Sequence, residues 1–273
     1  MKQLRAAFQG NARLSEGAIA IEGEHLLEEA LRSGIALRTV FLSERREKPR
    51  GLPRSTEVVR LADDVFASAV ETRSPQGVAA LVEPPAWELA DVLREAAPLL
   101  LIAAGIQDPG NLGTLVRSAE AFGATGVLVT PSTVSAWNQK ALRSSVGSIF
   151  RVPVVAVTRP EVGEMRERGV RLLAAVGADG EDVVAAQEAE LTEACAILIG
   201  NEGAGLGKEW LTLASSRVTI PCPGPVESLN AAVAGSLLLY EASRQRAAKG
   251  RPAVAVEGRI PGPLRRRPTG AQR

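Results

Sequence analysis

Residues 196–207 read Ala-Ile-Leu-Ile-Gly-Asn-Glu-Gly-Ala-Gly-Leu-Gly. An uninterrupted apolar run passes straight into a loop carrying Gly200, Gly203, Gly205 and Gly207. A strand that is apolar on both faces belongs in a parallel sheet covered by helices on both sides. The loop after it can wrap a ligand with backbone groups. Its glycines do not follow the G-x-G-x-x-G order of a dinucleotide fingerprint, and no Lys-Ser/Thr follows as in a phosphate-binding P-loop. Glu202 in the middle of the loop repels a phosphate. It suits a positive group, such as a neighbouring arginine or a sulfonium; a merely solvated carboxylate is the plain alternative.

Working outward, residues 99–104 (LLLIAA) form a second fully apolar strand. Helices are expected over 112–122, ending at Gly123, over 138–146 and over 228–246, with Ser228 as the cap of the last. Strands are expected over 126–130, 152–157, 171–176, 196–199 and 218–220. This alternation predicts a parallel α/β sheet, whose ligands bind at the carboxyl ends of the strands. Upstream, an amphipathic helix over 22–33, strands over 37–43, 58–61 and 78–82, a charged loop over 45–54 and a short helix over 62–70 make a smaller α/β unit. Glu83-Pro84-Pro85 closes it. The division expected is 1–84, a linker 85–97 with a helical stretch over 87–96, 98–247, and a basic, disordered tail 248–273.

The 273 residues are 45% hydrophobic but only 3% aromatic, so Ala, Val, Leu and Ile must pack the core. No apolar run reaches the roughly 18–20 residues that span a bilayer, and Met1–Gly10 holds no signal-peptide stretch. The expected location is the cytoplasm. Cys195 and Cys222 make no disulfide framework, and with His25 the single histidine no zinc site is expected. From Arg244 onward there are nine Lys/Arg against Glu257 alone. Such a tail either contacts a polyanion or is simply solvated.

Two further segments share the strand–loop–helix position of the first. Residues 107–117 (QDPGNLGTLVR) open a helix; Gly110 and Gly113 permit close backbone approach, Asp108 and Asn111 suit turn or cap positions, and Arg117 lies six residues beyond Asn111. Residues 218–230 (VTIPCPGPVESLN) stiffen a loop with Pro221, Pro223 and Pro225 before the last helix. Asn230 is a poor helix former in the first turn and calls for another explanation. Each segment alone reads equally well as an ordinary capped joint; the order and spacing of the three together do not.

Together they resemble the three signature motifs of the SpoU/TrmH family, within the SPOUT class of methyltransferases. Asn111, Gly113 and Arg117 match its Asn-x-Gly-x-x-x-Arg. Gly200, Glu202, Gly203 and Gly205 match its Gly-x-Glu-Gly-x-Gly. Ile220, Pro221, Ser228, Leu229 and Asn230 match its Ile-Pro…Ser-Leu-Asn. Residues 140–153 (KALRSSVGSIFRVP) resemble the family's intervening segment, and Arg73-Ser-Pro-Gln-Gly-Val78 resembles a piece of its N-terminal domain. Cys222 stands where relatives often carry Met.

The resemblance implies a trefoil-knotted parallel-sheet SPOUT methyltransferase domain preceded by a small α/β, ribosomal-protein-like substrate-binding domain. It implies transfer of a methyl group from S-adenosyl-L-methionine (AdoMet) to a ribose 2′-hydroxyl of RNA, with rRNA favoured over tRNA because of the separate N-terminal domain. Gly200, Ile220 and Leu229 would hold the cofactor; Arg117, Asn111, Glu202, Ser228 and Asn230 would serve the reaction, with Glu202 orienting Arg117. Two chains would pair through the knot region. No metal and no membrane are implied. Lys140 and Arg143 are candidates to face phosphate, and Trp137 to pack or to stack on a base. A non-catalytic RNA-binding or ribosome-assembly protein is the rival class, but it has no need of Arg117, Glu202 and Asn230.

Overall fold

The computed structural model describes residues 2–9, 17–72, 74–178, 182–226 and 228–250. Arg73, Glu227 and the basic tail beyond residue 250 lie outside the described residues. The chain runs α1 (Lys2–Gln9), β1 (Ile19–Glu22), α2 (Glu24–Arg32), β2 (Leu37–Ser43), β3 (Glu57–Leu61), α3 (Asp63–Ala67) and β4 (Val78–Val82). It continues with α4 (Leu89–Val92), β5 (Leu99–Ala103), α5 (Pro109–Ala121), β6 (Gly126–Val129), α6 (Gln139–Ser145), a 3-10 turn (Ser148–Phe150), β7 (Val154–Ala156) and α7 (Arg159–Glu167). The last elements are β8 (Arg171–Ala175), β9 (Val183–Ala185), β10 (Cys195–Ile199), α8 (Lys208–Leu211), β11 (Ser216–Thr219) and α9 (Ala231–Ala248).

The larger sheet has the order β7-β6-β5-β10-β8-β11-β9, and every pairing in it is parallel. β5 (LLLIA) and β10 (CAILI) lie at its centre and are buried along their whole length, because helices cover both faces. The order reverses at β5, which has β6 on one side and β10 on the other. That is the switch point at which such sheets bind ligands. The smaller sheet has the order β1-β4-β2-β3, antiparallel except for β2 with β3.

Local chemistry sets several boundaries differently from the sequence expectation. The final helix starts at Ala231, not Ser228: the side chain of Asn230 accepts hydrogen bonds from the Ala232 and Val233 amides and is itself the N-cap. This explains a residue with poor helix propensity at that position. The helix expected over 87–96 shrinks to α4, closed by a capping box between Glu88 and Asp91. Helices α1, α7 and α8 and strands β1 and β9 were not anticipated; β1 takes Glu22 from the helix expected over 22–33, which starts at Glu24. α5 begins at Pro109 with Asp108 as N-cap, and Gly113 lets α6 close on it, since a Cβ there would meet Ala141 O at 2.4 Å. At the far end of α9, Arg246 donates to the carbonyls of Leu191, Ala97 and Glu193 at 2.9, 2.7 and 2.6 Å, tying the helix to the approach strands of the sheet.

The two units share one core. Ile21, Leu27, Val40 and Leu42 belong to the same apolar cluster as Leu142, Ile149 and Phe150. Arg151 crosses the joint, donating to Glu29 Oε2 at 2.6 Å and Ser33 Oγ at 3.1 Å from α2 and to both carboxylate oxygens of Glu120 in α5. Burial pushes the Glu120 carboxyl upward, but the hydrogen bonds from Arg151 and Ser148 hold it below the usual range. Gly147 (φ 84°) lets the chain pass against Glu29, whose Cβ lies 2.5 Å from where a Cβ would stand. Gln139 adds a bond to Ala20 O at 2.8 Å. Arg151→Ala should leave Glu120 without its arginine and Glu29 with Arg32 alone, and cost about 2 kcal/mol of stability, read as a lowered denaturant midpoint; an unchanged midpoint would make the joint incidental.

Candidate active site at the strand ends

The loops after β5, β10 and β11 converge at the carboxyl ends of their strands. Beside this meeting point a cavity of about 490 Å³ opens between the loops after β8, β10 and β11 and the start of α9, within the size range of small-molecule sites. Gly200, Glu202, Ile220, Ser228 and Leu229 line it, with Val218 at its floor. Asn111, Asn230 and Arg117 do not.

The β10 loop is a short hairpin. Asn201 N and O both bond to Gly205, at 3.0 and 2.9 Å, and Gly205 makes the reversal at φ 67°. A Cβ on Gly200 would stand 2.3 Å from Gly205 C and 2.4 Å from Leu206 N. Both are backbone atoms, so only glycine fits. The Asn201 side chain accepts from the amides of Gly203 and Ala204 at 2.9 Å each and donates to Gly105 O at 2.9 Å. It therefore shapes its own loop and staples it to the β5 loop. The sequence reading passed over Asn201; an Asn following glycine at the start of a loop is the Asx-turn signal that could have found it.

Glu202 lies at the amino end of α5. Its carboxylate accepts from the backbone amides of Gln107 (3.1 Å) and Asp108 (3.2 Å) and from Asn111 Nδ2 (2.8 Å). Burial opposes the charge, but these donors hold the carboxyl below its ordinary range, and the helix N-terminus favours an anion. Asn111 Oδ1 in turn accepts from Asn230 Nδ2 at 3.1 Å. The two amide orientations follow from this network. Glu202, Asn111 and Asn230 thus link all three loops in one relay that ends on the first amides of α9. Lys140 Nζ pairs with Asp108 Oδ2 at 2.6 Å, and that hydrogen bond lowers the Asp108 carboxyl.

Within the chain Glu202 does not orient Arg117: its carboxylate accepts from Asn111 and the amides of Gln107 and Asp108. Arg117 stands on the exposed face of α5 with Thr114 and Ala121. The reason is helical pitch: six residues from Asn111 rotate a side chain by about 240°. Ser118 bonds Ser236 at 2.7 Å and Phe122 meets Tyr240 edge-on at 5.7 Å, so this face of α5 adjoins α9. There Val233, Leu237 and Tyr240 are exposed at 47%, 43% and 52%. Ser228 is exposed at the cavity rim. Trp137 is partly buried against the main core, which favours packing over stacking. No group of His, Cys, Asp and Glu able to hold a metal occurs among the described residues, and no described helix is long and apolar enough to cross a membrane.

A parallel sheet with a small-molecule cavity at the carboxyl ends of β8, β10 and β11, walled by loop backbone and apolar side chains and carrying a fused α/β unit, defines a two-unit ligand-binding α/β protein. A family model described as the SpoU rRNA Methylase family matches residues 98–240, and one described as an MRM3-like substrate binding domain matches residues 1–80. The chain belongs to the SpoU rRNA methylase family. It is 37% identical over 229 residues to the 23S rRNA (guanosine(2553)-2′-O)-methyltransferase RlmP of Bacillus subtilis, covering 84% of this chain and 89% of the relative. It is 34% identical to the 23S rRNA (uridine(2479)-2′-O)-methyltransferase of Streptomyces viridochromogenes, covering 86% of each. The crystal structure of the SpoU methyltransferase AviRb from Streptomyces viridochromogenes in complex with AdoMet superposes with a TM-score of 0.79 at 32% identity, covering 90% of this chain and 97% of that one.

Proposed function

We propose that this protein transfers a methyl group from AdoMet to a ribose 2′-hydroxyl of ribosomal RNA. The observation that carries the reading is the Glu202–Asn111–Asn230 relay at the lip of the cavity, in a chain whose named relatives methylate 23S rRNA at 2′-oxygens. The cavity fits the cofactor in chemistry as well as size. Ile220, Leu229 and Val218 offer apolar walls, and the loops after β10 and β11 offer backbone donors and acceptors beside Gly200. When bound there, AdoMet supplies an electrophilic methyl group on a sulfonium.

The chain's own residues must then place the 2′-oxygen and assist loss of its proton, since a neutral hydroxyl is a weak nucleophile. A guanidinium offers a planar fork of donors and no acceptor, so we assign Arg117 to stabilising the developing alkoxide and gripping the RNA backbone. Asn111, Asn230 and Ser228 fix the ribose by neutral hydrogen bonds, and Glu202 holds the loops that carry them. Because Arg117 stands outside its own cavity, beside the Val233, Leu237 and Tyr240 stripe, we assign that surface to a homodimer contact through which Arg117 serves the partner's site.

Residues 98–247 form the methyltransferase domain in this reading, 1–84 the RNA-binding domain and 85–97 the linker, in a cytoplasmic protein. The trefoil knot is part of the same proposal. β10 is laid between β5 and β8, and β11 between β8 and β9, after which α9 packs back on α5, β5 and β10. Such interleaving supports threading of the chain, a rare exception among folds.

The test uses the purified chain, labelled AdoMet and an unmodified 23S rRNA transcript. Label should enter RNA and appear, after nuclease digestion, in a 2′-O-methyl nucleoside by mass spectrometry. Leu229→Arg, which fills the cavity, should abolish AdoMet binding in calorimetry. Cofactor binding without transfer to any ribose would reject the proposal.

A further inference from the structure

The crossover from β2 to β3 carries Arg45, Arg46, Lys48, Arg50 and Arg54 against only Glu44 and Glu47. It joins two parallel strands, so it returns along the whole length of the small sheet. It is held in shape by cations that the surface then does without. Arg60 donates to the carbonyls of Glu44 and Arg46 at 3.2 and 2.9 Å. Arg46 donates to Gln76 O and reaches Glu24 at 3.6 Å. Thr56 is buried and closes a turn onto Pro53 O at 3.0 Å. Leu52 packs on the core cluster shared by both units, not on the outer cluster of Phe41, Phe66 and Leu81.

With the backbone pinned at those points, Arg45 pairs with Asp63 at 3.0 Å, whereas Lys48, Arg50 and Arg54 are exposed and meet no acid among the described residues. The crossover starts at the sheet edge that also holds Glu22 and the Gln76-Gly77 turn: Ser43 N bonds Gly77 O at 2.9 Å, and Gly23 N bonds Val78 O at 3.0 Å. Arg143 of α6 acts electrostatically on Glu22 from the catalytic unit. One turn earlier on α6, Lys140 is at the active-site loop. The basic crossover therefore begins on the side of the small sheet that leads to the cleft.

We infer that the β2–β3 crossover is an RNA-backbone docking arm, with Lys48, Arg50 and Arg54 contacting phosphates remote from the methylated ribose. A pre-ordered loop presenting unpaired cations suits phosphates, which reward charge without sequence. The inference rests on the methyltransferase reading and adds to it where the substrate is gripped.

The experiment measures binding of the full chain to an unmodified 23S rRNA transcript across a salt series, with methyl transfer in parallel. The triple variant Lys48→Ala, Arg50→Ala, Arg54→Ala should bind roughly 10- to 100-fold more weakly at 0.1 M salt and flatten the log–log salt slope by about 2 to 3. Its AdoMet affinity and its kcat at saturating RNA should match wild type, which also reports on folding. Arg50→Lys with Arg54→Lys should keep the wild-type slope; a loss there as large as with alanine would overturn a charge-only contact. A wild type that methylates RNA beside a triple variant of unchanged slope would overturn this inference alone and leave the loop to an acidic protein partner. A wild type that binds AdoMet but no RNA at low salt would bring down both readings.

Discussion

Arg117→Ala is expected to lower kcat for methyl transfer roughly 100- to 1,000-fold while leaving AdoMet affinity unchanged. That magnitude is typical of removing one preorganised donor aimed at a developing oxyanion. The cofactor term should not move, because Arg117 is exposed on α5 and absent from the cavity wall. Arg117→Lys keeps the charge but loses the planar fork, so only part of the rate should return. Calorimetry with AdoMet and single-turnover transfer to RNA separate the two quantities. Equal loss of both would remove Arg117 from the chemistry. The proposed placement across a dimer adds a sharper check: impaired Arg117→Ala and Glu202→Ala chains, mixed and allowed to exchange subunits, should regain activity above either alone, because one site of the mixed dimer keeps both residues. No recovery in a demonstrated mixed dimer would mean that Arg117 works within its own chain.

Glu202→Ala should be nearly as damaging by a different route. It leaves the Gln107 and Asp108 amides and the Asn111 side chain without their acceptor, and with them the relay to Asn230. Hydrogen bonds to a charged group contribute about 1.5–3 kcal/mol each when shielded. Glu202 is exposed, so solvent screening cuts that, and an overall effect of about 2–3 kcal/mol, or roughly 30- to 150-fold in kcat/KM, is expected. AdoMet affinity should weaken by about tenfold because the same loop lines the cavity. Glu202→Gln is not a rescue: its amide can accept with one oxygen, but its NH2 group would face backbone donors. A Gln variant of wild-type rate would show that the loops hold their places without the carboxylate charge. The global unfolding midpoint should barely change in either variant, since Gly200 and Asn201 close the hairpin independently.

Much of the fold was legible because its signals are local. β5 and β10 announce themselves as apolar on both faces, which only a doubly covered parallel sheet accommodates. Gly113 and Gly200 stand where a Cβ would collide with backbone. The short elements β1, α8 and β9 were missed because pieces of this length carry too few periods to be told from loop; α1 and α7, of eight and nine residues, were passed over although α2 of nine was read. Asn230 was misplaced by one element boundary: its side-chain acceptor shows a cap only once the first amides of α9 are located.

At the candidate site, the sequence pointed to residues that meet, but not to how they are wired. The motifs named Asn111, Glu202 and Asn230, and they do meet; the pairing expected of Glu202 with Arg117 is not made within the chain. A motif is a spacing along the chain, whereas contact depends on how many degrees each residue turns about its helix and on which loop arrives opposite. By itself the sequence determined the parallel α/β class, the two units, the lack of a disulfide framework and the three segments that gather at the strand ends, since these follow from hydropathy, glycine and proline placement and residue identity. Tertiary structure alone decided that Glu202 sits on the amino end of α5, that Asn201 staples two loops, that Arg151 fuses the two units and that Arg117 faces outward. The first three depend on groups about 30 to 120 residues apart in sequence meeting at hydrogen-bonding distance, and no local pattern encodes such a meeting; the last depends on which face of α5 the rest of the fold covers.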